Sequence, residues 1–161
     1  MRYAGLIKND LAAAPGVCVS FFVQGCPLRC PGCHNPESWD FEGGKEFSMK
    51  VLADIMNGLS ANGIERPLCI MGGEPLCTEN LFLTTLIIKE VKYYKPDTKI
   101  YLWTGYTYEE LLSKKSSNPK IEYILNNIDC LIDGPFIQEE KDITLQMRGS
   151  CNQRIIYLTR E

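Results

Sequence analysis

Apolar residues in this chain fall into short runs, and the runs switch between a strand period and a helix period. Residues 17–24 (VCVSFFVQ) are β-branched and aromatic, which predicts a strand that ends at Gly25. Ser48 then heads a run in which Leu52, Ile55, Met56 and Leu59 recur at helical spacing, with Gly63 closing it. Residues 68–71 read as a short strand leading into Gly72-Gly73-Glu74-Pro75, and a helix is expected over 78–94, stopped by Pro96. A strand over 99–104 follows. Thr107 and Glu110 have the spacing of a capping box for a short helix. A further helix over 119–127 and strands over 130–133 and 154–158 complete the pattern.

Strands alternating with helices predict an α/β fold with a mostly parallel sheet and helical crossovers. Four or five strands cannot close an eight-stranded barrel, so the expected shape is an open partial (β/α) barrel with an accessible lateral face. In such sheets ligands gather at the C-terminal ends of the strands. The distinctive turns all stand at such ends: Cys26 onward, the GGEP turn, Trp103-Thr104-Gly105-Tyr106 and Asp133-Gly134. The stretch 133–153 is the longest without a regular pattern, a length that marks loops with a function or with mobility.

Composition narrows the class. With 161 residues, 45% hydrophobic, residues 1–161 are expected to form a single domain with a proper buried core. The net charge is −3 and the 17 Lys and Arg are scattered, so no basic track for nucleic acid is expected. No apolar run reaches the roughly 18 residues of a membrane helix, and MRYAGLIKND has neither a long apolar run nor a cleavage signal. The expectation is a cytoplasmic protein. Eight cysteines in such a chain argue for reduced or metal-bound thiols rather than a disulfide framework.

Three of those cysteines, Cys26, Cys30 and Cys33, form a CxxxCxxC pattern immediately after the first predicted strand. Thiolates are the soft ligands that iron-sulfur clusters select, and three of them hold three corners of a four-iron cluster. The fourth iron is then open to chemistry. Other readings of the same stretch exist. Cys30-Pro-Gly-Cys33-His34 also fits the attachment signature of c-type haem, which needs export, and a thioredoxin-like dithiol, which leaves Cys26 unexplained. A structural zinc would want a fourth protein ligand, such as the remote use of His34. Of the remaining cysteines, Cys18, Cys69 and Cys130 lie in predicted strands, where a free Cys behaves as a small buried hydrophobe. Cys77 follows the glycine turn and Cys151 lies in a polar segment, so either could stand near a site, with filler the simpler reading.

Gly72 and Gly73 let the backbone approach a ligand closely, and Glu74 adds a carboxylate, which together suit a ligand carrying an amine. A GGxP turn alone is also a common tight turn. His34, the one histidine, reads more simply as a packing residue than as a ligand or proton carrier. The aromatics at 101, 103, 106 and 108 could stack on a base, but alternation along a strand makes them core and rim residues.

Taken together, CxxxCxxC after the first strand and GGEP after the second resemble the radical SAM superfamily. Cys33-His34-Asn35-Pro36-Glu37-Ser38-Trp39 resembles the CxN…W segment of its glycyl radical activating enzymes. Phe22-Val23-Gln24-Gly25-Cys26, Trp103-Thr104-Gly105-Tyr106, Asp133-Gly134-Pro135-Phe136 and Arg148-Gly149-Ser150-Cys151-Asn152-Gln153 are similar to the branch that activates anaerobic ribonucleoside-triphosphate reductase. The similarity runs from near Gly16 to the C-terminus. It departs from the pattern at His34, where relatives commonly carry Tyr or Phe, and at Cys151, where Ser is usual.

The resemblance implies that Cys26, Cys30 and Cys33 bind a [4Fe-4S] cluster whose fourth iron is chelated by the methionyl amine and carboxylate of S-adenosylmethionine. It implies adenosine contacts at Gly32, Cys33 and His34, methionyl contacts at Gly72, Gly73 and Glu74, and a further contact at Thr104. An electron from flavodoxin or a similar donor would cleave the sulfonium and yield a 5′-deoxyadenosyl radical. That radical would take a hydrogen from a backbone glycine of the reductase large subunit. Asp133 and the segment 148–153 would face that partner, or else form a structural clasp.

Overall fold

The computed structural model describes residues 1–158. One seven-stranded sheet organises the chain, with β1 (Arg2–Asp10), β2 (Cys18–Val23), β3 (Lys45–Glu46), β4 (Leu68–Gly72), β5 (Ile100–Trp103), β6 (Cys130–Asp133) and β7 (Arg154–Tyr157). Their order across the sheet is β3-β1-β2-β4-β5-β6-β7. Four helices connect them: α1 (Met49–Leu59), α2 (Leu81–Tyr94), α3 (Tyr108–Lys115) and α4 (Pro119–Asn127). Among the described residues no helix is long and apolar enough to cross a membrane.

The four strands β2, β4, β5 and β6 run parallel, as the alternating pattern predicts. The flanks differ from that expectation. β1 pairs antiparallel with β2 and carries β3 on its outer side, while β7 returns antiparallel on β6. The reason at β7 is the connection: no α-helix lies between β6 and β7, and a strand reached without a crossover folds back antiparallel. On the other flank, β1 is only half-buried and exposes Ile7, and its sequence lacks the β-branched and aromatic run that marked β2.

Two-residue periodicity divides the sheet into two chemically different faces. Val19, Phe21 and Val23 of β2, Leu68 and Ile70 of β4, Ile100 and Leu102 of β5, and Leu131 of β6 join one core with the apolar faces of all four helices. Leu52, Ile55 and Leu59 carry that contact from α1; Ile87, Ile88 and Val91 carry it from α2. The opposite face holds Cys18, Cys69, Met71, Tyr101 and Trp103, packed with Ala13, Ala14 and Met147. Cys18, Cys69 and Cys130 are fully buried, as their strand positions predict. Burial pushes the Cys130 thiol up to about 11 and the Cys69 thiol further still, so neither is a ready thiolate.

The helix signals are seated as the sequence places them, with small shifts. Ser48 is the N-cap residue of α1 and Pro119 opens α4. Thr107 and Glu110 form the capping box: the Glu110 amide donates to Thr107 Oγ1 at 3.3 Å, and the Thr107 amide donates to Glu110 Oε2 at 2.7 Å. α2 begins at Leu81 rather than at 78, because Asn80 serves as its N-cap and its side chain is used elsewhere. Gly63 closes a separate 3-10 turn, Ala61–Gly63, rather than α1 itself.

Candidate active site

A cavity of about 460 Å³ opens on the face of the sheet away from the helices, above the C-terminal ends of β2, β4 and β5. Cys26, Cys30 and Cys33 all line it, and all three are partly exposed and free. The sequence-predicted residues His34, Gly72, Gly73, Glu74 and Thr104 line the same cavity. Gly32 sits within the cysteine loop but does not line it; His34, at the outer end of the loop, is exposed.

The cysteine loop is shaped by its backbone. Gly25, between β2 and Cys26, has φ +98, and Gly32 has φ +74, both in the left-handed region that glycine tolerates. Arg29 adopts φ +47 in the middle of the loop, a conformation uncommon for a residue with a side chain. Cys33 closes a turn by donating its amide to the Cys30 carbonyl at 3.1 Å. The segment after the loop is stitched back against its beginning: the Gly25 amide donates to Ser38 O at 2.8 Å and the Cys26 amide to Trp39 O at 3.1 Å. Gln24, buried, adds two more bonds, donating Nε2 to the carbonyls of Glu37 and Asp40 at 3.1 and 2.7 Å.

The glycine turn is packed directly onto that loop. Gly73 donates its amide to Val23 O and Glu74 donates to Gly25 O, each at 2.9 Å. A Cβ on Gly73 would stand 2.2 Å from Gly25 O, so only glycine permits this approach. Asn80 bridges the two elements, its Nδ2 donating to both Gly25 O and Glu74 O at 3.0 Å.

Glu74 lines the cavity and also makes bonds that its sequence does not announce. Its carboxylate, 1% exposed, accepts the Leu76 amide at 2.9 Å, Thr104 Oγ1 at 2.7 Å and the Gly105 amide at 2.7 Å. Burial raises its pKa, and the bonds from Thr104, Gly105 and Leu76 pull the other way. The side chain therefore joins the turn after β4 to the turn after β5. The Gly73 and Glu74 amides are committed as well, and the Glu74 carbonyl accepts from Asn80 Nδ2 and the Cys77 amide. Thr104 is held likewise, its amide donating to Ile132 O at 2.9 Å and its hydroxyl to Glu74.

Farther along, the long segment after β6 folds over the cavity. Gly134, Phe136, Leu145, Met147, Arg148, Gly149 and Gln153 reach its wall. Asp133 itself turns inward: 1% exposed, its carboxylate accepts the Tyr108 amide at 2.8 Å and the guanidinium of Arg154, which also grips Glu109. Asp133 is thus an anchor for β7 and α3, while Arg148 and Gln153 reach the cavity. Trp103 lines the wall, whereas Tyr106 and Tyr108, beyond the end of β5, pack against the helix-side core. Cys77 is buried, its thiol pushed up to about 12 chiefly by desolvation, and Cys151 is exposed away from the cavity wall.

The donor set suits an iron-sulfur cluster: three sulfur atoms on one loop face one cavity, and no fourth cysteine is among the described residues lining it. Among the described residues no three His, Cys, Asp or Glu side chains converge on a single-ion site. Ligands that each serve a different iron need no such convergence. Residues 12–156 match a family model described as a 4Fe-4S single cluster domain. The chain is 39% identical to the anaerobic ribonucleoside-triphosphate reductase-activating protein of Pasteurella multocida, over 98% of this chain and 97% of that one. It is 32% identical to the protein of the same name from Escherichia coli K12, over 98% and 99%, and 32% identical to that of Enterobacteria phage T4, over 96% and 93%.

The chain belongs to this family of reductase-activating proteins. Within it, the described residues from Ala12 to Gln153 that form the cavity fall inside the matched region. Two clamps of this family member were beyond sequence reading. Gln24 was visible only as part of a resembling stretch, and Asn80 carried no signal other than its place before an apolar helix.

Proposed function

We propose that this protein is a radical SAM activase that installs a glycyl radical on anaerobic (class III) ribonucleoside-triphosphate reductase. The observation that carries the reading is the convergence of the cysteine trio and the Gly72-Gly73-Glu74 turn on one cavity, in a chain of this family. Cys26, Cys30 and Cys33 hold a [4Fe-4S] cluster. Gly32, Cys33 and His34 meet the adenosine of S-adenosylmethionine, Gly72, Gly73 and Glu74 meet its methionyl group, and Thr104 completes the wall.

When bound, the cluster and S-adenosylmethionine supply one chemistry: an external one-electron donor, flavodoxin or similar, breaks the bond between sulfonium and deoxyribose, giving methionine and a carbon radical that removes a glycine hydrogen. This chain's own residues do the holding. Gln24, Asn80 and the Gly73 amide fix the loop that carries Cys26 against the turn that receives the methionyl end. Glu74 fixes the β5 turn to both. Leu28, Trp39, Met71, Trp103 and Phe136 give the cavity apolar walls that exclude water.

Residues 1–161 are read as one domain of the radical SAM partial-barrel type. The order β2-β4-β5-β6, which advances without reversal, and the packing of all four helices on one face support that reading over a doubly wound sheet. The cytoplasm is the proposed location.

Anaerobic reconstitution tests the function. The expected outcome is a cluster EPR signal altered by S-adenosylmethionine, release of 5′-deoxyadenosine on reduction, and a glycyl radical signal on the reductase only when both are supplied. Full cleavage activity in Cys30→Ala would overturn the ligand assignment.

A further inference from the structure

Arg148 is the only Arg or Lys among the described residues lining the cavity. Its Nη1 donates to the Gln153 carbonyl at 3.0 Å, while its buried Nε has no partner and no bond is formed by Nη2 among the described residues. Nε and Nη2 together form the guanidinium edge that meets the two oxygens of a carboxylate side by side. A buried donor left without an acceptor is costly, which makes the unpaired Nε informative.

The guanidinium is held in place from behind. Gln153 Oε1 accepts the amides of Gly149 and Ser150 at 2.8 and 3.2 Å, and its Nε2 donates to Gly134 O at 2.9 Å. On the other side, Trp103 Nε1 donates to the Met147 carbonyl at 2.7 Å, and Met147 takes φ +60 to present it. The one carboxylate in the cavity wall, Glu74, is occupied by Leu76, Thr104 and Gly105. No carboxylate of the wall is therefore free to pair with Arg148.

We infer that Arg148 anchors a ligand carboxylate in this cavity. Resting on the function proposed above, that group is the methionyl carboxylate of S-adenosylmethionine; a carboxylate of the protein substrate is the other source of the same chemistry. Arg148 is then a binding residue of the site, and the clasp formed by 148–153 serves to aim it.

Equilibrium binding of S-adenosylmethionine and of its decarboxylated analogue to the reconstituted wild type, Arg148→Gln and Arg148→Lys tests this. Arg148→Gln weakens S-adenosylmethionine binding at least tenfold and leaves the decarboxylated analogue unchanged, with Arg148→Lys intermediate because it keeps the charge without the paired edge. Unchanged S-adenosylmethionine affinity with a tenfold loss in reductase binding assigns the carboxylate to the protein substrate and upholds the anchor. No change in either affinity, or equal losses for both nucleosides, overturns it. Iron content and melting temperature matching the wild type separate loss of the fork from loss of fold, and Arg148→Lys carries the comparison if Arg148→Gln does not fold. A wild type that binds neither S-adenosylmethionine nor reductase overturns the proposed function along with the anchor, whereas a binding wild type with indifferent Arg148 variants overturns the anchor alone.

Discussion

Asn80 donates its side-chain amide to the carbonyl of Gly25 at 3.0 Å across 55 positions of sequence, and the same nitrogen reaches the carbonyl of Glu74 at 3.0 Å. At 5% exposure, no water replaces those donors if they are removed. The residue after Gly25 is Cys26, so this bond sets where the cysteine loop starts relative to the glycine turn. Asn80→Ala is expected to cost about 1–3 kcal/mol for carbonyls left short of donors. Asn80→Asp, which replaces the donor with an acceptor facing two carbonyls, is expected to cost more. Thermal melting and iron content after reconstitution check the order wild type, Ala, Asp.

Gly73 and Gly32 are both glycines of the site, and their substitution by alanine is expected to differ sharply. A Cβ on Gly73 would meet Gly25 backbone atoms at 2.2, 2.8 and 3.1 Å, with nothing flexible to yield. A Cβ on Gly32 would meet Gln138 Oε1 at 1.6 Å, but that is the tip of a side chain that can swing away, leaving the φ of +74 as the remaining cost. Such a left-handed backbone costs alanine about 1–2 kcal/mol. Gly73→Ala therefore loses S-adenosylmethionine binding in a titration, while Gly32→Ala retains it at reduced affinity.

The parallel centre of the sheet was legible in the sequence because β2, β4, β5 and β6 are short, mostly buried apolar runs flanked by turns and helices. The cysteine trio was legible because ligand chemistry fixes residue type and spacing together. β1 was not, since a half-exposed strand that ends in Lys8, Asn9 and Asp10 shows no period. Glu74 shows a second kind of limit. Residue type and position placed it correctly in the cavity wall, but its three donors come from Leu76, Thr104 and Gly105, and tertiary bonding of that kind leaves no trace in spacing. Arg148 and Asn80 share this limit.

The eight cysteines are expected to separate by position. Changing Cys26, Cys30 or Cys33 to Ala lowers bound iron and abolishes release of 5′-deoxyadenosine, because each lines the cavity. Cys151→Ser leaves iron content and melting temperature unchanged, since that thiol is exposed and stands outside the wall. Cys69→Ser keeps the iron but melts lower, because a hydroxyl replaces a fully buried sulfur in an apolar cluster. Iron and sulfide analysis with thermal melting reads all of these.

The clasp behind Arg148 is fastened by Arg154, which bonds Glu109 Oε1 at 3.0 Å and Oε2 at 2.6 Å while also gripping buried Asp133. The hydrogen bond from Arg154 holds the Glu109 carboxyl at about 2, below its ordinary value of 4.5. A carboxylate whose pKa is lower folded than unfolded stabilises the fold fully above the unfolded value and loses that contribution as pH falls through the folded one. The window here runs from 4.5 down to about 2. Glu109 is exposed, so solvent screening keeps the effect small and salt lowers it further. Melting temperatures of wild type and Glu109→Gln are therefore expected to differ modestly near neutral pH, to draw together as pH falls through that window, and to differ less at high ionic strength. A gap that widens on acidification would show that Arg154 does not depend on Glu109 to hold β7 in place.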